Sequence, residues 1–371
     1  MPFAKIEPNE IRVFPLASRK SKSDITRVAI SPQKVSSPPR SVQSSVEEIA
    51  HRIKNAREHG ASVMLAFGAH LIKNGLAPLV IKLMEKGWVT HIASNGAGGI
   101  HDWEFAWLGR SEEDVRANVA DGTFGAWEET GKYINLAVQV GALQDMGYGE
   151  SLGALIENEQ LEIPDPVQLE EEIKAMLDRD NRFSSAGVEL LQTIRQCRLQ
   201  RGEWHIPHRF TQYSVFGAAY RLKIPATIHP GIGYDIIYNN PFANGAALGR
   251  AAHTDYKIFI QSVTNLTNGV FLSVGSAIMA PQVFEKSLSF ANNLKLQNNQ
   301  PIIHDHLMVV NDLQQSQWDW QQGEPSKESP DYYFRFLKSF YRMGGDVRYI
   351  ASDNRLFLLS LYHILNAHDS A

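Results

Sequence analysis

Cysteine is almost missing from this chain: Cys197 is the only one in 371 residues. A single thiol closes no intramolecular disulfide, so nothing points to an oxidising compartment. Within Leu190–Leu199 it reads as a small buried hydrophobe rather than a nucleophile. No uninterrupted apolar run reaches the ~18 residues that a membrane-spanning helix requires. The opening residues Met1-Pro2-Phe3-Ala4-Lys5 lack the apolar core of a secretory signal, and the expectation is a cytoplasmic protein. An excess of charge of one sign is lacking too. Lys and Arg number 36 against 40 Asp and Glu, a formal net charge of −4, without the concentrated basic face of a nucleic-acid binder. The one basic cluster, Arg19-Lys20-Ser21-Lys22, is short and reads as solvated tail. There is no internal repeat and no Gly-x-Ser-x-Gly hydrolase elbow. A small molecule is the partner these absences leave, with neither nucleic acid nor membrane.

What is present is a globular composition with 27 Gly and 17 Pro. Residues 17–45 are rich in Ser, Pro, Lys and Arg, so 1–45 is expected to be an extended N-terminal arm. Residues 46–371 then form one α/β domain. Ser45-Val46-Glu47-Glu48 has the capping-box pattern, and its helix runs through Ile49, Ile53 and Ala56 to Gly60. Ser62–Phe67 reads as a buried strand ending at Gly68. A helix carrying Leu71, Leu76, Leu79, Val80 and Leu83 follows, terminated by Gly87, and then a second strand, Val89–Ala93. This is a βαβ unit with parallel strands. The stretch from Gly149 to about Arg201 is polar and helical and reads as an insertion near 150–200. Strands return at Ala226–His229, Val270–Val274, Leu307–Val310 and Val347–Ala351. Helices fill the gaps at about 255–266, 282–293, 332–342 and 355–365. The alternation predicts a Rossmann-like, doubly wound, mostly parallel sheet with helices on both faces.

In such sheets ligands bind beyond the carboxyl ends of the strands. Gly96-Ala97-Gly98-Gly99 stands at one such end, where glycines let backbone N–H groups approach a phosphate or ribose; the pattern is not G-x-G-x-x-G. His101, Asp102 and Glu104 follow, able to grip a hydroxyl, an amine or a metal, with helix capping the structural role open to Asp102. Ile224–Ile228 runs as an apolar strand into His229-Pro230-Gly231-Ile232-Gly233-Tyr234-Asp235, and packing accounts for the isoleucines but not for His229 and Asp235 together. Gly275-Ser276-Ala277 is a third strand end, its Ser free to serve a ligand or a cap. His304-Asp305-His306 precedes a strand and would place two histidines on one face, a metal pair or a surface pair.

Several of these segments together resemble the deoxyhypusine synthase family. Ala66-Phe67-Gly68-Ala69-His70-Leu71-Ile72-Lys73-Asn74-Gly75-Leu76 is similar to its first strand-to-helix passage. Asn95 through Asp102 resembles its Thr-Ala-Gly-Gly-Val-Glu-Glu turn, and Ile224-Pro225 through Asp235 its Ile-Pro strand and acidic loop. Tyr349-Ile350-Ala351-Ser352-Asp353-Asn354-Arg355-Leu356-Phe357-Leu358-Leu359 is similar to its Tyr-Ala-Asp-Ala-Ser-Leu-Val-Phe-Pro-Leu-Leu. The matches keep their order over about residues 60–360.

The resemblance implies a homotetramer, a dimer of dimers, binding NAD and a polyamine in a cleft between paired subunits. It implies hydride transfer to NAD from the amine, and an aminoalkyl group held on a lysine as an imine. Such a lysine must be unprotonated part of the time. Phe336-Leu337-Lys338 lies where the family has Trp-Gly-Lys, which gives Lys338 the covalent role, against its plain reading as a solvated helix lysine. On this reading Gly96, Ala97, Gly98, Gly99, Ser276, Ser352 and Asp353 contact NAD. His70, His101 and Asp235 meet substrate, and Asp102 and His229, which also address substrate, stand with Lys338 as the catalytic residues. The departures are Phe336 and Leu337, the absence of the family's histidine pair after Gly275, His101-Asp102 in place of paired glutamates, and His70 in place of an asparagine. They imply a different substrate. Two alternatives remain: a metal-assisted hydrolase or lyase using His70, His101, His229 and Asp102, and a non-catalytic nucleotide-binding protein of the same fold.

Overall fold

The structure is a computed structural model and describes residues 3–34, 38–177, 183–316 and 318–367. Its contacts divide the chain into two compact units. One holds residues 28–98, 222–229 and 256–371, and the other 1–27, 99–221 and 230–255.

The first unit carries a six-stranded sheet. Its strands are β1 (Val63–Phe67), β2 (His91–Asn95), β3 (Ala226–His229), β4 (Val270–Val274), β5 (Leu307–Asp312) and β6 (Asp346–Ala351). Every pairing is parallel, in the order β6-β5-β4-β1-β2-β3, which is the Rossmann order, with its switch point between β1 and β4. β1 to β4 are buried along their whole length apart from Asn95. Burial on both faces is why they read in sequence as short continuous apolar runs rather than as alternations.

One face packs Met64, Ala66, Phe271, Met308 and Val310 against helices Met279–Gln297 and Arg335–Tyr341 through Phe284, Leu288, Leu337 and Phe340. Helix Asn354–Asn366 packs against both Arg40–Glu58 and Ala77–Glu85, and Arg40–Glu58 also contacts β1, β4 and β6. The single helix expected over Leu71–Leu83 is broken into Ala69–Lys73 and Ala77–Glu85. Gly75, at φ +74°, makes the break, and a Cβ there would lie 2.0 Å from the Val28 carbonyl oxygen. The glycine turn expected after Ala93 is also different. β2 runs on to Asn95, and Gly96–Leu108 is helical from its first glycine.

The second unit is larger than the insertion expected near 150–200. It holds helices Glu128–Gly141, Tyr148–Asn158, Pro166–Leu177 and Phe183–Cys197, the last two closing over Leu169, Ile173, Leu190 and Ile194. A two-stranded ladder pairs Gln160–Ile163 with Gly202–His205.

Much of the expected arm is packed rather than extended. Leu16 and Ile25 are fully buried, and Ser23 and Asp24 pair with Ser111 and Arg110. Helix Arg40–Glu58 begins ahead of the Ser45 capping box. Within the basic cluster read as solvated, Arg19 is buried. Its guanidinium makes two bonds of 2.8 Å to Glu104, which also accepts from Thr130 and Ser111. A cation is tolerated there because a fully desolvated carboxylate faces it.

Removing one partner strands the other charge in the core. Arg19→Met or Glu104→Leu alone is expected to destabilise by ~3–5 kcal/mol in urea unfolding, whereas the double variant recovers most of that loss. Single variants within ~0.5 kcal/mol of the parent, the range of ordinary surface substitutions, would contradict the account.

Candidate functional site

Parallel pairing puts all six strand carboxyl ends on one edge of the sheet. At the switch point β1 is followed by Gly68 and β4 by Gly275. The Gly68 N–H donates to the Val274 carbonyl at 3.3 Å, and the Gly275 N–H to the Asn311 carbonyl at 2.9 Å. A Cβ on Gly68 would lie 2.2 Å from the Gly275 carbonyl oxygen, so no other residue fits there without moving backbone. Gly275 has φ +60° and faces open space. A side chain at that position would be strained and would fill the gap it borders.

That gap is a pocket of about 230 Å³ in the sheet unit, lined by His70, Asn74, Gly275, Asn311, Asp312, Leu313, Ser352, Asp353 and Asn354. All but Asn74, the C-cap of helix Ala69–Lys73, arrive from a strand end or the first turn after it. Asn311 is 1% exposed. Its amide donates to the carbonyls of Ile350 (3.0 Å) and Ser352 (2.9 Å), tying β5 to β6. Its Oδ1 is buried and accepts no bond from the described residues. Asn74 donates to Asn354 at 3.0 Å. Asp353 caps helix Asn354–Asn366 through the Arg355 N–H, and the Arg355 guanidinium holds its carboxyl below the usual range. Burial, then Lys73, lowers the pKa of His70, which keeps the ring neutral at pH 7. With Asp312 and Asp353 present and no Lys or Arg in the lining, the pocket favours hydroxyls, amides and cations over phosphate.

The expected residues divide. His70, Ser352 and Asp353 converge in the pocket. Ser276, next to Gly275, turns its Oγ to accept from Ala280 N at 3.2 Å and caps the following helix. Gly96, Ala97 and Gly98 form the first helical turn after β2. Asn95 Oδ1 accepts from Gly98 N at 2.9 Å, and a Cβ on Gly98 would meet Ser94 Oγ at 2.0 Å, a packing reason for glycine. Lys338 is buried, but it is not among the pocket-lining residues. Its Nζ lies 3.4 Å from the centre of the Tyr332 ring and 3.6 Å from Glu324.

Gly99, His101, Asp102 and Asp235 belong to the other unit. His101 Nδ1 meets Ser111 Oγ at 2.7 Å. Asp102 is fully buried and accepts from Ser214 Oγ, Val215 N and Phe216 N. It therefore caps helix Val215–Leu222, although burial lifts its pKa to about 6 against those donors. Asp235 accepts from Gly231 N at 2.7 Å, and burial raises its pKa.

Sequence reading missed Asn74, Asn311, Asp312 and Asn354. The available signal was the polar pair Asn311-Asp312 directly after an apolar run, the same pattern as Ser352-Asp353 after β6. The expected His304/His306 pair does not share a face. His304 pairs with Asp305 in solvent, while His306 is buried, its ring 6.3 Å from that of Phe284. Among the described residues no three His, Cys, Asp or Glu side chains form a group able to hold a metal, and no helix is long and apolar enough to cross a membrane.

No family model and no curated protein matches the chain. Solved structures do. ArgZ, a cyanobacterial arginine dihydrolase, is 16% identical with a TM-score of 0.43, over 88% of this chain and 33% of that one. A conserved putative LOR/SDH protein from Methanococcus maripaludis S2 is 14% identical with a TM-score of 0.45, over 92% and 74%. AgrE in ternary complex with ornithine and NAD+ is 13% identical with a TM-score of 0.44, over 90% and 34%. The chain thus spans about a third of the length of ArgZ and AgrE. At such scores the likeness assigns neither ligand nor reaction.

Burial also marks His91 and His229 on β2 and β3, driving the first to about 3 and the second to about 4. His208 and His306 are lowered to about 4 as well. Each ring takes a proton near pH 6.5 when unfolded but resists it when folded. Below pH 6.5 the unfolded chain therefore binds more protons, and stability falls. Unfolding free energy is expected to be flat from pH 8 to 7 and to drop by about 1 kcal/mol per pH unit per histidine between 6.5 and about 4. Asp102, raised to about 6, opposes this, as do Asp235 and Glu150, which burial also raises. Stability unchanged between pH 7 and 5 would contradict the assignment.

Proposed function

We propose that this chain is an NAD-linked enzyme of the deoxyhypusine synthase type. It would bind the dinucleotide across the β1/β4 switch point and use it to oxidise an amine or transfer an aminoalkyl group. The observation that carries the reading is the pair Gly68 and Gly275. One is forced by close backbone approach and the other leaves open space over the switch point, with a polar pocket beside them. This is where doubly wound sheets take nucleotides.

The residues fit such a ligand in part. Asp312 and Asp353 suit ribose hydroxyls or an ammonium group, and Asn311 Oδ1 is an acceptor awaiting a donor. Phosphates would lie outside this acidic lining, toward the strand-end backbone of Gly96–Gly98. His70, in the pocket lining, would address substrate, and His229, at the end of β3 in the same unit, would handle protons. When bound, the dinucleotide supplies the hydride acceptor. Ile278 and Leu313 are each 70% exposed, and Leu313 also lines the pocket. They give this rim an apolar surface that a second copy would cover in the expected homo-oligomer.

A second reading, nucleotide binding without covalent transfer, is favoured by the engagement of Lys338 with Tyr332 and Glu324. Calorimetric titration with NAD+ tests the first step. Binding is expected, with a loss of about tenfold or more for Asp312→Asn through one charge-assisted hydrogen bond, and a comparable loss for Gly275→Ala. Absence of dinucleotide binding, or equal affinity in all three proteins, would overturn the reading. Incubation with labelled spermidine, NAD+ and borohydride then separates the two readings. Label trapped at Lys338 supports transfer, and binding without label leaves a binding protein.

A further inference from the structure

Across β2 and β3 runs a chain of side chains that neither the pocket nor the fold explains. Ser262 Oγ lies 2.8 Å from His91 Nδ1, His91 Nε2 lies 3.1 Å from Thr227 Oγ1, and Thr227 Oγ1 lies 3.1 Å from His229 Nε2. His91 opens β2 and His229 closes β3, so the chain spans the sheet from near its amino edge to its carboxyl edge. Strand register places all three on one face, because Ala93 pairs with Thr227 and Asn95 with His229. Phe259 stands edge-on to both imidazoles, 5.3 Å from His91 and 5.4 Å from His229 at interplanar angles of 86° and 90°, and fixes their planes. His91 and Thr227 are completely buried, His229 is 9% exposed, and Ser262 is partly open to solvent.

The hydroxyl of Thr227 has one proton between two ring nitrogens, and that constrains both tautomers. If Thr227 donates to His229 Nε2, then His91 donates its Nε2–H to Thr227 and His229 carries its proton on Nδ1. If Thr227 donates to His91 Nε2, then His229 donates from Nε2, its Nδ1 is a bare acceptor, and His91 donates Nδ1–H to Ser262. In passing from the first state to the second, one proton leaves His229 Nδ1 and one moves from Thr227 to His229 Nε2. The next moves from His91 Nε2 to Thr227, another from Ser262 to His91 Nδ1, and solvent returns one to Ser262. Each side chain gains one proton for the one it gives up, the net result being one proton taken from solvent at Ser262 and one released from His229 Nδ1, and neither ring becomes cationic. A path through neutral rings is the kind this site permits, since burial disfavours the imidazolium at both.

We infer that Ser262, His91, Thr227 and His229 form a proton relay that supplies or removes a proton at the strand-end imidazole of His229. His91 and Thr227 are its positioning residues. Only the use of that proton by a bound amine rests on the proposed function. The relay itself is a property of the protein without ligand.

Nitrogen-15 NMR of the histidine rings in the ligand-free protein at pH 7 tests it. Complementary tautomers are expected, the Nε2–H fraction of His91 and that of His229 adding to one. In Thr227→Val, which keeps the shape and removes the hydroxyl, this complementarity is lost, and Thr227→Ser restores it. Identical tautomers on both rings, for example Nε2–H on each with Thr227 accepting from both, would overturn the relay. So would complementarity that persists in the valine variant. Should that variant not fold, the wild-type and serine spectra decide by the same criterion. Dinucleotide binding is read separately by calorimetry, so failure of one idea leaves the other testable.

Discussion

The backbone of Gly68 approaches the carbonyl of Gly275 so closely that a single methyl group would have to displace it. That contact lies where the chain, having wound one way through β1, β2 and β3, resumes on the other side through β4, β5 and β6. The two loops at a switch point leave in opposite directions, so a crevice opens between them, and its depth depends on how little side chain the loops carry. Glycine at both positions keeps the crevice open. The polar groups of β5 and β6 are then presented to it by parallel hydrogen bonding, with Asn311 as the clasp between the two strands.

Electrostatics decides what such a crevice accepts. Its lining carries the carboxylates of Asp312 and Asp353 and, among the described residues, no Lys or Arg, and the neighbouring Arg355 is committed to Asp353. A hydroxyl or ammonium group gains from that environment, whereas a phosphate placed against Asp312 would meet like charge. Elsewhere the molecule handles buried charge differently. Glu104 is matched by Arg19, Asp102 by three donors at a helix start, and the imidazoles on β2 and β3 by neutrality. The last solution leaves chemistry available, since a neutral ring can still pass a proton.

The sheet was legible because a buried parallel strand must be apolar on both faces. Ala226–His229 and Val270–Val274 fall where the apolar runs placed them. β2 is displaced by two residues because its start is set by pairing of His91 with Met64, not by where the apolar run begins. The candidate site was legible in part. Ser352, Asp353 and His70 entered only through the segments that resemble deoxyhypusine synthase, and Asn311 and Asp312 were hidden by an apolar run that continues into polar residues without a turn signal. Three other expectations failed to meet in the pocket for physical reasons. Asp102 is consumed as a helix cap, Ser276 likewise, and Lys338 is held by an aromatic ring and a glutamate. The packed N-terminal segment was invisible because its partner, Glu104, lies 85 residues from Arg19. Local composition carries no trace of such a contact.

Amide hydrogen exchange of the full chain with and without saturating NAD+ reads the central claim directly, without a variant. Slowed exchange is expected at the strand ends that frame the switch point, around residues 68–74, 275–277, 311–313 and 352–354. Unchanged exchange at all four, or protection confined to the unit built from residues 99–221, would contradict the assignment of the crevice as a nucleotide site.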